Sequence, residues 1–363
     1  MLRDTITERE VIRQQTVKFE ELKSLDLRSC ATVGDIVDGM RQCAFGARML
    51  GEVAKTIHDM ISSGEEPALI YDGLPESPLG QLLQKFVANH WCRKILRPSQ
   101  YAKQRHGKDH VIVVGRFSER YADAIYSKPA RALFINQFDL ARPGQIRDGY
   151  FPDAVFTDPR LIMPILYRTL DEWIRDRQTP VRSLIAELGP YGGVASQMAK
   201  GATALKKMVG DKKCVRFLTV SGAMTVGKMD FVICDMIEAG WVDAISSTGA
   251  LMAHGLVSSI GLKHYKYNPV YDDTALARRK LNRVTDTLEP ETNLDSVEEV
   301  LGKVIALIDG SKPISPSILN NHTGKFLARH YPNERGILKS AYLHDVPVFV
   351  PAFVDSELGN DLY

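Results

Sequence analysis

The sequence predicts an α/β fold whose sheet is mostly parallel and flanked by helices. Two observations carry this reading. Short apolar runs such as CVRFLTV (214–220) and VPVFVPAF (346–353) have the length and branching of buried strands. Between 214 and 261 the order strand, small-residue turn, helix occurs twice in succession, which is the rhythm of a parallel, Rossmann-like sheet.

Taken in order, residues 1–30 read as a polar, helix-prone lead-in. Residues 33–62 place Ile36, Val37, Met40, Ala44, Met49, Leu50, Val53, Ile57 and Met60 at helical spacing, with a break expected near Gly46. PALIYDG (67–73) is an apolar run closed by a turn, and LGQLLQKFVANHW (79–91) is a helix. HVIVVG (110–115), ARALFIN (130–136) and FPDAVFTD (151–158) read as strands. LIMPILYRTLDEWIRD (161–176) is a helix with Pro164 in its opening turn. A long helix over 183–209 is interrupted at Gly189-Pro190 and Gly192-Gly193, and a composition break puts the preferred domain boundary at 177–186. This gives a lead-in (1–30), an α/β region (31–180) and a second α/β region (181–363). In the last region KMDFVICDMIEAG (228–240), LMAHGLVSSIG (251–261) and LDSVEEVLGKVIALIDG (294–310) are helices, and VDAISS (242–247) is a strand.

A chain of 363 residues can bury a substantial core in one large or two medium domains. Its 46 basic and 44 acidic residues are intermixed and nearly cancel, which gives no case for nucleic acid or an anionic membrane surface. The five cysteines form no CxxC pair, a pattern suited to a reducing cytosol rather than to a disulfide scaffold or zinc site. The charged start MLRDTITEREVIRQQ lacks a signal-peptide core, and no apolar run reaches the ~18–20 residues of a membrane helix, so a cytoplasmic protein is expected.

The chemistry is expected at three turns that follow strands: Ser221-Gly222-Ala223-Met224-Thr225, Ser246-Ser247-Thr248-Gly249-Ala250, and the stretch from Asp355 to Asp361. In an open parallel sheet ligands lie beyond the carboxyl ends of the strands. Small residues there admit a ligand to the backbone, hydroxyls bond phosphate or ribose, and an acid holds ribose hydroxyls or an ammonium. Taken singly, each turn reads better as a helix cap or tight turn than as a ligand site, and no GxGxxG is present; three such turns on one side of a sheet favour a cofactor site.

The order of these segments resembles the deoxyhypusine synthase family. FLTVSGAMTVGKMDFVICDMIEAGWVDAISSTGALMAHGL, KLNRVTDTLEPETNLDSVEEVL (280–301) and LKSAYLHDVPVFVPAFVDSELGNDLY (338–363) carry the resemblance, over roughly 184–363. It implies NAD lying along the sheet, a polyamine such as spermidine beside it, transfer of an aminobutyl group to an amine acceptor such as a protein lysine, and a homo-oligomer such as a tetramer. The residues matching the family's NAD contacts are Ser221, Thr225, Thr248, Gly249 and Asp355.

Several positions depart from the family pattern. Ala253-His254 stand where the family has an acidic pair, so His254 is either a substrate contact or a helix residue facing solvent. Asn360, with Asp361 beside it, stands where the family has a second amine-binding acid. The family's glycine-rich turn and catalytic lysine come after the position of Tyr363, and neither Lys325 nor Lys339 replaces that lysine by position. In the first half, a loose likeness to the family's closing segment would put Gln137 and Asp158 at cofactor-contacting turns and Gly115-Arg116-Phe117 at the glycine-rich turn. Rival readings are a non-catalytic regulatory or partner subunit and a different NAD-using amine enzyme.

Overall fold

The computed structural model describes residues 19–104, 109–127, 129–136, 153–356 and Gly359. By its contacts the chain divides into two compact units. One holds Leu27–Arg41 and Gly46–Lys212, and the other holds the described residues up to Asp26, Gln42–Phe45 and those from Lys213 on.

The first unit comprises α1 (Val33–Met40), α2 (Phe45–Ser62), β1 (Ala68–Tyr71), α3 (Pro78–Ala88), β2 (Lys94–Leu96), α4 (Pro98–Ala102), β3 (His110–Val114), α5 (Ala122–Ser127), β4 (Arg131–Asn136), β5 (Ala154–Phe156), α6 (Pro159–Arg175), α7 (Val181–Glu187) and α8 (Gly193–Gly210). Its five strands are all parallel, in the order β2-β1-β3-β4-β5. Strand β3 shows why the run HVIVV is almost uniformly apolar. Ile112 and Val114 enter one core, with Leu69, Leu83, Phe86 and Leu166, while Val111 and Val113 enter another on the opposite face, with Ile70, Tyr101 and Ile125. A strand buried on both faces has no polar side to show.

The helix boundaries follow local chemistry. Thr32 caps α1 by accepting from the Asp35 backbone N–H, and the Asp35 carboxylate accepts from Thr32 N at 3.0 Å. The expected break falls at 41–44, just ahead of Gly46. Helix α6 begins at Pro159, so Pro164 sits inside the helix rather than in its opening turn. The long C-terminal helix of this unit is interrupted as expected, by a 3-10 turn at Gly189–Tyr191 and by Gly192 and Gly193, whose φ angles of 72° and 50° suit glycine.

The second unit comprises β6 (Phe217–Val220), α9 (Ala223–Val226), α10 (Asp230–Glu238), β7 (Ala244–Ser247), α11 (Ala250–Ser259), β8 (Tyr265–Lys266), α12 (Asp273–Ala277), β9 (Leu281–Val284), β10 (Thr287–Pro290), α13 (Glu291–Ile305), α14 (Pro316–His330), α15 (Ile337–Leu343) and β11 (Val348–Phe349). Strands β11-β7-β6 form a parallel sheet, and β8-β10-β9 form a separate antiparallel one. A single parallel sheet through the C-terminal half is therefore not what forms, because KLNRVTDTLEP folds back on itself as the β9-β10 hairpin.

Ile245 on β7 is fully buried, packed with Val348, Val350 and residues of α10, α11 and α13–α15. Two strands expected to be buried are only partly so. Alternate residues of β6 are exposed, Phe217 at 53%, and Phe349 of β11 is exposed at 41%. Their rings stack at 6.4 Å on the face turned away from that core. Of the lead-in expected to be helical, residues 1–18 lie outside the described residues, residues 19–26 hold no helix, and Leu27–Ser29 form a 3-10 turn. Glu21 forms a bridge with Tyr265, and Leu22 and Leu25 are buried. Among the described residues no helix is long and apolar enough to cross a membrane.

This packing predicts a contrast. Ile245→Ala removes a buried side chain and should cost about 2–5 kcal/mol in urea denaturation. Phe217→Ala, at an exposed position, should change stability by about 0.5 kcal/mol or less. Equal losses would mean that the exposed face of the sheet is covered.

Candidate functional site

Because β6, β7 and β11 are parallel, their carboxyl ends share one edge; the turns after β6 and β7 singled out in the sequence lie along it, and of the third stretch only Asp355, Ser356 and Gly359 are among the described residues. Direct contacts join them. The backbone N–H of Gly222 donates to Thr248 Oγ1 at 3.1 Å, and Ser247 Oγ donates to the carbonyl of Val220 at 2.8 Å. A Cβ on Gly222 would stand 2.5 Å from the Leu251 nitrogen, and one on Gly249 would fall on the Ser356 side chain. Both glycines are therefore needed for the close approach of chain to chain, at ordinary right-handed φ values.

The expected contact residues divide by exposure. Ser221 and Thr248 are exposed at the edge, where their hydroxyls can meet a phosphate or ribose. Thr225 is fully buried, and its hydroxyl donates to the Gly222 carbonyl at 2.7 Å. Gly249 is buried against Ser356. Those two build the turns. Asp355 ends the 3-10 turn Phe353–Asp355, while Asn360 and Asp361 lie outside the described residues.

In the other unit, Asp158 caps α6. Its carboxylate accepts from the Arg160 backbone and guanidinium and from the Val194 N–H, so its acceptor capacity serves the fold. Gln137 lies outside the described residues. Lys339 donates to the carbonyls of Tyr331, Pro332 and Glu334 at 2.7–3.0 Å and so ties down the loop after α14.

His254, on α11, is neither a lone substrate contact nor a solvent-facing helix residue. Its Nδ1 lies 2.9 Å from Glu289 Oε2, and the side chain is 21% exposed. Glu289, on β10, is 1% exposed, and its Oε1 lies 3.3 Å from Nε2 of the fully buried His264, an ion-pair distance rather than an aligned hydrogen bond. On its other side His264 presents Nδ1 to Lys228 Nζ at 3.0 Å, and Lys228 donates to Ser258 Oγ at 2.9 Å. Asp230, two residues on from Lys228, accepts from Ser24 Oγ at 2.6 Å.

Burial works to raise the Glu289 carboxyl, but its contacts with His254 and His264 outweigh that and hold it at about 2. Burial lowers the proton affinity of Lys228 against the pull of Asp230 and Glu289, and it lowers that of His264 against the pull of Glu289. Burial raises Asp230, opposed by the Ser24 hydroxyl and Lys228.

The donor atoms of His254, His264 and Glu289 lie within 4.8 Å of one another, a spacing metal sets share. With Lys228 as the nearby cation, the same groups also form a buried charge network. Sequence reasoning missed Lys228, Asp230, His264 and Glu289. The only signal was a glutamate inside the apolar strand of TLEP, and no spacing rule connects positions 228, 264 and 289.

Two outcomes follow. Gly222→Ala should destabilise the protein by about 1–3 kcal/mol, since the close atom is backbone and cannot swing away. A variant as stable as the parent would show that the turns do not pack this way. The Glu289 carboxyl is held below its ordinary 4.5, so its stabilisation is complete above pH 4.5 and fades as pH falls toward 2. The stability gap between parent and Glu289→Gln, read by urea denaturation, should therefore narrow on acidification through that window. A gap independent of pH would contradict the pairing.

Residues 183–363 match the family model described as deoxyhypusine synthase. The chain is 30% identical over 179 residues to the Probable deoxyhypusine synthase of Methanosarcina thermophila, covering 49% of this chain and 55% of that protein. It is 31% identical over 186 residues to the Probable deoxyhypusine synthase 1 of Archaeoglobus fulgidus, covering 50% and 58%. It is 27% identical over 206 residues to the Deoxyhypusine synthase-like protein of Coxiella burnetii, covering 56% and 58%. The chain thus spans little more than half the length of these relatives. The match contains every strand of the three-stranded parallel sheet and the turns at its carboxyl edge, and residues 183–363 belong to the deoxyhypusine synthase family.

Proposed function

We propose that the family segment binds NAD along the carboxyl edge of β6, β7 and β11 and acts on a polyamine such as spermidine, as part of aminobutyl transfer to an amine acceptor such as a protein lysine. The observation that carries this reading is the meeting of three turns at one edge within a segment of that family. The residues fit a nucleotide in part. Ser221 and Thr248 offer exposed hydroxyls beyond strand ends, as phosphate and ribose binding requires, whereas Thr225 and Gly249 shape the turns that present them. When bound, NAD supplies the acceptor for a hydride from the carbon beside the amine nitrogen. The chain's own residues hold the amine against that edge, orient it and receive its proton. By the resemblance, the proposed cofactor contacts include Asp355 and the proposed substrate contacts include Asn360 and Asp361, which lie outside the described residues.

A second reading, a non-catalytic partner subunit, draws on particular residues. Ala253-His254 and Asn360 stand where the resemblance puts carboxylates that hold the polycation, and each such pair is worth several kcal/mol when desolvated. The two readings separate in one experiment. Titration calorimetry with NAD, using Thr248→Val as control, should show binding that weakens in the variant. Spermidine should then produce NADH fluorescence, and radiolabel from spermidine should reach an acceptor protein under the first reading and not under the second. No binding at millimolar NAD would leave the turns a structural role only. Robust label transfer would mean that a lysine of this chain performs the step.

A further inference from the structure

We infer that His254, His264 and Glu289 form a binding site for a divalent transition-metal ion of the zinc type. Its ligands are Nδ1 of His254, Nε2 of His264 and a carboxylate oxygen of Glu289. Two imidazole nitrogens and one carboxylate suit zinc and leave a fourth position for water. The inference stands apart from the NAD reading above, since it needs neither the dinucleotide nor an amine. The ion would join α11 to the antiparallel sheet.

Three observations support it. The first is spacing. The donor atoms all lie within 4.8 Å of one another, with His254 Nδ1 at 2.9 Å from Glu289 Oε2 and His264 Nε2 at 3.3 Å from Glu289 Oε1. Ligands about 2.0–2.2 Å from a tetrahedral ion stand about 3.3–3.6 Å apart, so small side-chain rotations complete the set. The second is burial. His264 and Glu289 are 0% and 1% exposed, and among the described residues neither His264 Nε2 nor Glu289 Oε1 has a hydrogen bond. Buried polar atoms left so are costly, and one ion satisfies both. The third is the scaffold. Strand β10 pairs with β8 in the register Thr287↔Lys266 and Leu288↔Tyr265. Carried one residue further, that register sets Glu289 opposite His264, with both side chains on the same face. The His264 carbonyl accepts from the Leu22 N–H at 2.9 Å, and the Lys263 carbonyl accepts from Asn293 Nδ2 at 2.9 Å, which fixes the backbone that carries the ligand.

His254 supplies the third ligand from α11. It makes a further interaction besides the one with Glu289. Ligation uses Nδ1, and ligating imidazoles are ordinarily held through the rest of the ring as well, so that interaction is compatible with the site. The cation behind the site is Lys228. With Nε2 on the metal, neutral His264 carries its proton on Nδ1, which faces Lys228 Nζ at 3.0 Å. Lys228 then passes one proton to solvent and accepts that hydrogen bond as a neutral amine, with Ser258 Oγ at 2.9 Å. No ammonium then opposes the ion across the ring.

The test uses the full chain, stripped of metal with a chelator, and two variants, His254→Gln and His264→Gln. Calorimetric titration of the parent with zinc should show one equivalent bound with a Kd of about 1 μM or below. Cobalt(II) bound in its place should show the visible absorption of a four-coordinate site. Each variant should weaken that equivalent about a hundredfold or more and lose the cobalt spectrum. Zinc held by Cys30 or Cys214, the partly exposed thiols, would survive both substitutions. His254 is 21% exposed, so His254→Gln keeps the test usable if His264→Gln fails to fold. Zinc should also raise the melting temperature of the parent and leave that of His254→Gln unchanged. Absence of a stoichiometric equivalent in the parent, or an equivalent that His254→Gln leaves intact, overturns the inference.

Discussion

A buried anion, Glu289, ties together separate parts of the second unit. Glu289 is 1% exposed, and an ionised carboxylate in such a place is strongly destabilising unless its surroundings compensate. The compensation comes from widely separated parts of the chain: His254 on α11, His264 before β8, and Lys228 after α9. Removing one partner of a buried pair of this kind costs about 3–5 kcal/mol. The network therefore fixes α11 and the antiparallel sheet to the segment that follows β6. It sets where His254 stands relative to the turns. An apolar residue at 289 would fill the same strand position but would leave His254 unoriented.

The edge itself depends on a different constraint, close approach. Gly222 and Gly249 bring the turn after β6 against the start of α11, and the turn after β7 against Ser356, with no room for a Cβ at either position. Parallel pairing puts the three strand ends level, and the glycines let the turns meet. Ser221 and Thr248 are left exposed by this packing, while Thr225 is absorbed into it. Residues matched to cofactor contacts by resemblance thus divide into those that can touch a ligand and those that shape the surface offered to it.

Much of this was legible in the sequence because it is local. The strand-turn-helix order between 214 and 261 and the interruption at Gly189 to Gly193 follow from periodicity and turn chemistry, whereas α6 starts two residues ahead of the expected position, behind Asp158. The partial exposure of β6 was not legible, because a run such as FLTV reads the same whether a sheet is covered on one face or two. The β9-β10 hairpin was passed over because Thr285-Asp286 carries no glycine to mark the turn. The charge network was out of reach for a further reason: its members are 10 to 61 residues apart, and only the tertiary fold relates them.

The central claim is that the carboxyl edge of β6, β7 and β11 is where a dinucleotide binds. The direct measurement is a crystal structure of this chain grown with NAD. The account predicts density for the dinucleotide beyond the ends of β6 and β7, with the Ser221 and Thr248 hydroxyls within hydrogen-bonding distance of its phosphates or ribose. Density at the five-stranded sheet of the other unit, with this edge unchanged, would contradict it.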